Sequence, residues 1–232
     1  MNMKHESSLP CEQLYVFGTG NAAVTHCYNT CFAIRTETQP GQTEFFMVDA
    51  GGGNGILGIL DQMQVPLTQI HHIFVTHEHT DHILGIVWMV RMIGTQMKKG
   101  TYEGTLSIYC HDGLVETIKT LCRLTLQKKF CDLIGTQILL IPVADGETRD
   151  ILGYPVTFFD IHSTKARQFG FTTCLLYTST CLKTEATAFS SAAPFRHFPI
   201  PVLSLTVSLS SCSSRPPVHA FRRLFVYTFL II

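Results

Sequence analysis

The sequence predicts a mixed α/β fold, in which helices cover a sheet of both parallel and antiparallel strands. Hydrophobic residues make up 46% of the 232 residues and charged residues 15%, which is typical of a globular chain with a sizeable core. Short runs rich in β-branched and aromatic residues alternate with longer runs of helical spacing. The predicted order, β-β-β-α-β-α-β-α-β-β, combines hairpins with helical crossovers, and this combination indicates a mixed sheet.

Three strands open the predicted order. EQLYVFGTGNA begins as an apolar strand and breaks at Gly18 and Gly20. TCFAIRT and TEFFMVDAGGG are predicted as two strands around the turn ETQPGQ, in which Pro40 and Gly41 are the turn signal.

GILGILDQM has apolar residues at helical spacing and is predicted as the first helix. QIHHIFVTH, rich in β-branched and aromatic residues, is predicted as a buried strand.

Two helices and three strands complete the predicted domain. DHILGIVWMVRMIG is apolar enough to be a helix packed on the sheet. GTLSIYC is predicted as a strand and GLVETIKTLCRLT as a helix. TQILLIPV and YPVTFFDIH are predicted as the closing strands. These elements form one domain over residues 1–173.

The composition of the chain changes at Cys174. Residues 174–232 are rich in Ser, Thr and Pro, and they contain no Asn, Asp or Gly, which turns between strands normally use. Their first six residues, CLLYTS, are also what a transposon end used in sequencing libraries would encode. We therefore expect an incomplete domain over 1–173 and an atypical tail over 174–232, chimeric or frameshifted. A divergent natural tail is the alternative.

Charge and cysteine usage exclude several classes of protein. Lys plus Arg and Asp plus Glu each number 17, so the strong basic field of a dedicated nucleic-acid binder is absent from the whole chain. The N-terminus lacks the apolar core of a secretion signal, and no apolar run is long enough to span a bilayer. The nine cysteines show no CxxC spacing. We expect a cytoplasmic protein with reduced thiols and no membrane partner.

Polar side chains are concentrated in IFVTHEHTDHILGI, between an apolar strand and an apolar helix. His77, His79, Asp81 and His82 form an H-x-H-x-D-H pattern there. A metal ion needs several lone pairs that converge, and a strand end that turns into a helix supplies them. Neutral imidazoles and a carboxylate suit zinc. The alternative is an ordinary polar loop with Asp81 at the helix N-terminus, and the full pattern argues against it.

The THEHTDH stretch resembles the signature of the metallo-β-lactamase fold superfamily. FGTGNAAVTHCYNTCFAI and FFMVDAGGG resemble the opening strands of its ribonuclease Z-like branch, and FFDIHSTKARQFGFTT resembles the third metal motif. The resemblance covers Leu14 to Thr173. It implies an αββα sandwich, of which this chain holds the N-terminal half.

Two zinc sites follow from the resemblance. His77, His79 and His162 are the implied ligands of the first zinc. Asp81 and His82 are the implied ligands of the second, and Asp81 is also the implied catalytic residue that handles a proton.

Asp49 leaves two interpretations open. In the resembling proteins an Asp-Gly pair closes this strand. The resemblance implies that Asp49 does not bind the metal itself but orients a histidine that does. As the residue before three glycines, it is equally well explained as a turn residue.

The implied function is a zinc-dependent hydrolase with a metal-activated water, most similar to a ribonuclease Z-like phosphodiesterase of the tRNA 3′ processing type. The expected substrate is a phosphodiester, with pre-tRNA as the candidate, and many relatives form homodimers. A small-molecule phosphodiester, thioester or lactone hydrolase is the first alternative. A metal-binding but inactive fragment is the second, because the implied bridging aspartate after His162 is missing: the last aspartate of the chain is Asp160.

Overall fold

A computed structural model of the chain describes residues 12–175, 207–211 and 222–226. These residues form two sheets and the helices that pack on one of them. The strands are β1 Gln13–Gly18, β2 Cys31–Gln39, β3 Gln42–Val48, β4 Ile70–Phe74, β5 Leu106–His111, β6 Ile138–Val143, β7 Thr148–Ile151, β8 Tyr154–Asp160, β9 Phe169–Leu175, β10 Val207–Ser211 and β11 Arg222–Val226. The helices are α1 Gly55–Gln62, α2 Thr80–Lys99, α3 Asp112–Thr125 and α4 Lys128–Cys131, with a short 3-10 turn at Leu67–Gln69.

The first sheet has six strands in the order β1-β2-β3-β4-β5-β6. The pairs β1–β2 and β2–β3 are antiparallel, whereas β3 to β6 run parallel to one another. Helices α1, α2 and α3 lie in the crossovers between the parallel strands. The carboxyl ends of β3, β4 and β5 therefore meet at one edge of the sheet, where open α/β sheets place their functional residues.

The second sheet is antiparallel, in the order β10-β11-β9-β8-β7, and it packs on the first. Successive residues of β2 show the layering. Cys31 and Ala33 are buried in the core that the first sheet shares with the helices, while Phe32 and Ile34 are buried in the core between the two sheets. Strands β2 to β6 of the first sheet thus contribute to both cores, as a period of two residues requires. The described part has three layers: helices, sheet, sheet.

Aromatic rings fill the core between the sheets. Phe74 of β4 is fully buried, with its ring centroid 5.1 Å from that of Phe158 and 5.8 Å from that of Phe171. Phe46 of β3 lies 5.3 Å from Phe171 in the same way. The second sheet is therefore anchored on the two strands, β3 and β4, that carry the motif residues at their ends.

The mixed α/β class and the order of its long elements are confirmed. Helix α2 runs five residues beyond the predicted stretch and ends at Lys99, and Gly100, with φ +72°, is its C-cap. Strands β7, β9, β10 and β11 and helix α4 were not among the predicted elements. Strand β7 and helix α4 have only four residues each, and three of the four residues in β7 are exposed.

The predicted boundary between Thr173 and Cys174 falls within strand β9. Strand β9 pairs with β8 on one side and with β11 on the other. Most of the predicted tail, including His197 and His219, lies outside the described residues. The division of the chain at this point remains a prediction.

Two further expectations concern membrane-spanning segments and the oxidation state of the cysteines. None of the helices in the described part combines the length and the apolarity needed to cross a lipid bilayer. The five cysteines described there are free thiols, and burial raises the pKa of Cys110 to about 12, so that it stays protonated.

Candidate metal centre

The motif residues lie at the carboxyl edge of the first sheet. Residues 75–79, here called the motif loop, leave β4 in an extended conformation and lead directly into α2. His79 is the N-cap residue of α2, with φ −63° and ψ 146°. Asp81 and His82 follow in the first helical turn, so that loop and helix side chains are directed toward one region.

Four motif side chains meet as two pairs. His77 Nε2 and His79 Nδ1 are 3.1 Å apart, with ring planes inclined at 76°. His82 Nε2 and Asp81 Oδ2 are 3.4 Å apart. The ring centroids of His77 and His82 are 4.2 Å apart, which places the two pairs side by side. His77, Asp81 and His82 are all buried.

The Asp49 carboxylate connects the two pairs through hydrogen bonds to His82 and to Thr76, which in turn bonds His77. Asp49 is 1% exposed, and its carboxylate accepts three hydrogen bonds. Oδ1 accepts the backbone N–H of Thr76 at 2.9 Å, and Oδ2 accepts the Thr76 hydroxyl at 2.8 Å. Oδ2 also lies 2.7 Å from His82 Nδ1. Of the two interpretations of Asp49, this geometry favours the one in which it orients a ligand histidine.

The hydrogen bonds indicate which nitrogen of each ring is free to bind a metal. Because the Thr76 hydroxyl donates to Asp49, it accepts from Nδ1–H of His77 at 2.8 Å, and the lone pair of His77 lies on Nε2. Nδ1–H of His82 donates to Asp49, which directs Nε2 toward Asp81. Metal-binding histidines are commonly oriented by such bonds. Thr76 was not selected from the sequence, although a hydroxyl residue between the apolar strand and the first histidine was a usable signal.

The pKa values of two buried histidines in the motif are shifted in opposite directions. Burial, together with the neighbouring His82, lowers the pKa of His77 to about 4. Burial also acts to lower the pKa of His82, but Asp49 and Asp81 outweigh it and raise that pKa to about 10. The hydrogen bond to His82 in turn lowers the pKa of Asp81. Asp49 and Asp81 thus stabilise the positive charge of a protonated His82.

The donor pairs fit zinc in kind and in spacing. Zinc lies about 2.0–2.2 Å from nitrogen and oxygen ligands, so two donors on one tetrahedral ion are about 3.4 Å apart. The distances of 3.1 Å and 3.4 Å in the two pairs are close to that separation. In the described part of the chain, however, no three His, Cys, Asp or Glu side chains surround a single point closely enough to hold a metal. Each pair therefore needs further ligands.

His162 is placed apart from the four motif residues. It lies between β8 and β9, its side chain is 82% exposed, and its φ is +56°. Its Nδ1 is 3.7 Å from Asp160 Oδ1, and its backbone N–H donates to the same oxygen at 2.7 Å. The structure does not bring this ring to the pair of His77 and His79. Its role as a ligand of the first zinc remains a prediction.

A buried histidine that the sequence did not single out lies next to the motif. His111, at the end of β5, is 4% exposed, and its Nε2 is 3.7 Å from Glu78 Oε2. Neither ring nitrogen has a hydrogen-bond partner among the described residues. His111 lies at the same edge of the sheet as the motif because β5 pairs in parallel with β4, and this pairing is not apparent in the sequence.

The turn after β3 is held by two residues from the stretch before β2. The Tyr28 hydroxyl lies 2.8 Å from the Gly53 carbonyl and 3.0 Å from the Ala50 carbonyl, and Asn29 Oδ1 accepts the Gly52 N–H at 3.0 Å. A Cβ on Gly51 would lie 2.2 Å from the Tyr28 ring. Glycine is therefore required where the tyrosine packs, which accounts for the glycine-rich sequence after Asp49.

Replacing Tyr28 with phenylalanine is expected to lower the free energy of unfolding by about 1–2 kcal/mol. The change leaves the ring in place but removes the hydroxyl that bonds both the carbonyl and the N–H of Gly53. Urea unfolding of the wild type and the variant measures the difference. Tyr15→Phe is the matched control, because the Tyr15 hydroxyl makes one long, exposed hydrogen bond, and its expected change is below about 0.5 kcal/mol. Equal effects of the two changes would contradict the role of Tyr28.

Comparison with known protein families gives a match to most of the chain. Residues 12–193 match the family described as "Anti-Pycsar protein Apyc1". The match includes the whole motif loop, and it runs past the predicted boundary at Thr173. Among curated proteins, the chain is similar to ribonuclease Z of Staphylococcus carnosus (strain TM300), with 28% identity over 151 residues. This alignment covers 64% of the chain and 39% of that ribonuclease.

Solved structures show the same fold. The metallo-β-lactamase fold protein YhfI from Bacillus subtilis superposes with a TM-score of 0.53 at 17% identity, covering 70% of this chain and 58% of that one. The short form of human tRNase Z superposes with a TM-score of 0.52 at 20% identity, covering 70% of this chain and 63% of that one. The chain thus spans less than two thirds of each of these relatives. The expected metallo-β-lactamase fold and the resemblance to the ribonuclease Z-like branch are confirmed, and the chain belongs to the Apyc1 family of anti-Pycsar proteins.

Proposed function

We propose that this chain carries the metal-binding half of a zinc-dependent phosphodiester hydrolase. The observation that carries the proposal is the Asp49 network, which fixes Nδ1 of His82 directly and Nδ1 of His77 through Thr76. Both rings then present Nε2 at the carboxyl edge of the sheet. The names of the relatives, ribonuclease Z and tRNase Z, support a phosphodiester as the substrate.

In this proposal His77 and His79 hold one zinc ion, and Asp81 and His82 hold the other. Zinc bound there would supply a Lewis acid that polarises the phosphoryl group and lowers the pKa of a water. The Asp81 carboxylate, 6% exposed and hydrogen-bonded to His82, accepts and returns the proton. Asp49 holds His82 in orientation throughout, because its three hydrogen bonds leave the carboxylate no other direction.

Pre-tRNA and a small phosphodiester are both compatible with this chemistry, and one observation favours the small phosphodiester. Pre-tRNA is the substrate that the names of the relatives suggest. The equal numbers of basic and acidic residues, 17 each, give no overall field to attract a polyanion, and this favours a small phosphodiester. Cleavage of pre-tRNA at a rate well above that of a simple diester would favour the first substrate.

Replacing His79 with alanine is expected to reduce bound zinc to less than half of the wild-type content and to abolish hydrolysis of bis(p-nitrophenyl) phosphate. The change removes one of the two donors of the first pair. His26→Ala is the matched control, because it removes an imidazole from an exposed position outside the site. Zinc is measured by elemental analysis after dialysis, and hydrolysis by the release of p-nitrophenolate.

The outcomes separate the candidate functions. A wild-type chain that retains no zinc would overturn the ligand assignment and the hydrolase together. One zinc per chain without hydrolysis would support the metal-binding but inactive fragment. Hydrolysis that is unchanged in His79→Ala would overturn the role of the first pair. The expected homodimer and cytoplasmic location remain predictions.

A further inference from the structure

His111, at the end of β5, is a buried histidine that the proposed hydrolysis does not use. It is the N-cap residue of α3, with φ −66° and ψ 157°, but its side chain makes no capping hydrogen bond. The side chains strongly preferred at an N-cap are those of Ser, Thr, Asp and Asn. The stability of α3 therefore does not account for an imidazole at this position.

The two nitrogens of the His111 ring face different neighbours. The Nδ1 edge packs on the first turn of α3, where a Cβ on Gly113 would lie 3.3 Å from Nδ1. Nε2 lies 3.7 Å from Oε2 of Glu78, in the motif loop. Both nitrogens are shielded from water and lack a hydrogen bond within the described residues, a state that is costly for a buried polar group. The Glu78 side chain is 42% exposed, so it has room to shift into hydrogen-bonding distance of Nε2.

The surroundings of the His111 ring indicate which nitrogen carries its proton. Burial lowers the pKa of His111 and Arg167 lowers it as well, although Glu78 and Asp112 act in the opposite direction, so the ring is neutral at neutral pH. Nδ1 faces the amino end of α3, where the partial positive charge of the N–H groups favours a lone pair. The proton therefore lies on Nε2, which can donate it to the Glu78 carboxylate.

A hydrogen bond to Glu78 would act on the part of the motif loop that the Asp49 network does not hold. Asp49 orients the rings of His82 and, through Thr76, of His77. His79 is joined to the site by the contact of its Nδ1 with His77. Because Glu78 lies between His77 and His79 in the chain, a bond that holds its side chain also restrains the peptide that carries the His79 ring.

We propose that His111 is a positioning residue of the candidate metal centre: its Nε2–H binds the Glu78 carboxylate and so fixes the motif loop between His77 and His79. The inference rests on the proposed function for the presence of zinc, whereas the hydrogen bond itself does not depend on a metal. It gives the metal centre a second anchor, from the end of β5, beside the one that Asp49 supplies from the turn after β3.

Two replacements of His111 separate the hydrogen bond from the stability of the fold. The side-chain amide of glutamine reaches the position of Nε2, whereas that of asparagine reaches only the position of Nδ1, so His111→Gln alone keeps a donor for Glu78. Asparagine is a good N-cap residue, and His111→Asn is expected to keep or raise the urea midpoint of the metal-free chain. Its zinc affinity, measured by competition with a chromophoric chelator, is nevertheless expected to fall about 10-fold. His111→Gln should retain most of the wild-type affinity.

The partner residue and the absorption spectrum provide two further readouts. Glu78→Ala removes the acceptor and should also lower the zinc affinity about 10-fold, and adding His111→Asn to it should lower the affinity no further, because both act through one bond. In the cobalt-substituted protein, His111→Asn should shift the visible absorption bands and His111→Gln should restore them. His72→Asn is the matched control, since it replaces a half-buried histidine near the start of β4, at the opposite edge of the sheet. It should leave the affinity and the bands as in the wild type.

Nitrogen-15 NMR of the metal-free chain tests the hydrogen bond without zinc. The His111 ring is expected to show the tautomer that is protonated at Nε2, and Glu78→Ala is expected to shift the Nε2 signal. If this shift is seen but the wild type binds no zinc, the bond to the motif loop stands and the proposed function fails.

The remaining outcomes decide on the positioning role itself. If the wild type binds zinc and hydrolyses bis(p-nitrophenyl) phosphate while His111→Asn keeps the wild-type affinity, the positioning role is overturned and the hydrolase stands. Equal losses of affinity in His111→Asn and His111→Gln would show that the imidazole serves packing alone, and would overturn the role too. An Nε2 signal that Glu78→Ala leaves unchanged would overturn the hydrogen bond on which the proposal depends.

Discussion

Replacing Asp49 with asparagine is expected to lower the zinc affinity of this chain by about 10–100-fold. The carboxylate accepts hydrogen bonds from both groups of Thr76 and from His82, and these bonds orient the two ligand rings. Asparagine has the same shape but only one acceptor oxygen, and its NH₂ group would face a donor. With the NH₂ group in the place of Oδ2, the bonds from the Thr76 hydroxyl and from His82 are both lost, and in the place of Oδ1 the bond from the Thr76 N–H is lost.

Asparagine is a sharper test than alanine because of the backbone at this position. Asp49 has φ +55°, in the left-handed region that asparagine and aspartate tolerate better than other residues with a side chain. Asp49→Asn therefore removes the charge and one acceptor without adding backbone strain. Asp49→Ala would mix the loss of the hydrogen bonds with strain in the turn.

The measurement is a competition titration of zinc against a chromophoric chelator, at constant pH. Asp61→Asn is the matched control, because it makes the same chemical change at an exposed position in α1, and its expected affinity is that of the wild type. An affinity of Asp49→Asn within twofold of the control would show that Asp49 is a turn residue and no more.

Gly85→Ala is expected to lower the free energy of unfolding by about 3 kcal/mol or more. A Cβ at this position would lie 1.8 Å from the carbonyl oxygen of Ala50, a contact that no side-chain rotation can relieve. The same approach brings the Gly85 N–H to the Gly51 carbonyl at 2.8 Å and the Ala50 N–H to the His82 carbonyl at 3.2 Å. Helix α2 would have to move away from the turn that carries Asp49, and zinc affinity should fall with it.

The control for this change is a glycine in a helix with open space around it. Gly58 in α1 has nothing within 4 Å of a Cβ position, so Gly58→Ala is expected to raise the free energy of unfolding by about 0.5–1 kcal/mol. Urea unfolding, followed by circular dichroism, compares both variants with the wild type. A higher free energy of unfolding in both Gly85→Ala and Gly58→Ala would contradict the close contact of α2 with the turn after β3.

The parts of the fold that were predictable are those with a local pattern. The long strands and helices show their periods directly in the sequence, and the H-x-H-x-D-H spacing indicated His77, His79, Asp81 and His82. The role of Tyr28 depends on contacts with residues distant in sequence, and no local pattern indicates it. The same is true of His111, which reaches this edge only through strand pairing, and of His162, whose exposed position a motif cannot indicate.

The contact of Gly85 with Ala50 also has a consequence for how metal ions enter and leave. Three backbone hydrogen bonds join the turn after β3 to β4 and α2: Asp49 N–H to Phe74, Ala50 N–H to His82 and Gly85 N–H to Gly51. These hydrogen bonds preorganise the frame that carries the ligand pairs. Uptake of an ion then requires side-chain adjustment without domain closure. The exchange rate of the metal should accordingly depend on the half-buried ring of His79, and little on large-scale motion of the chain.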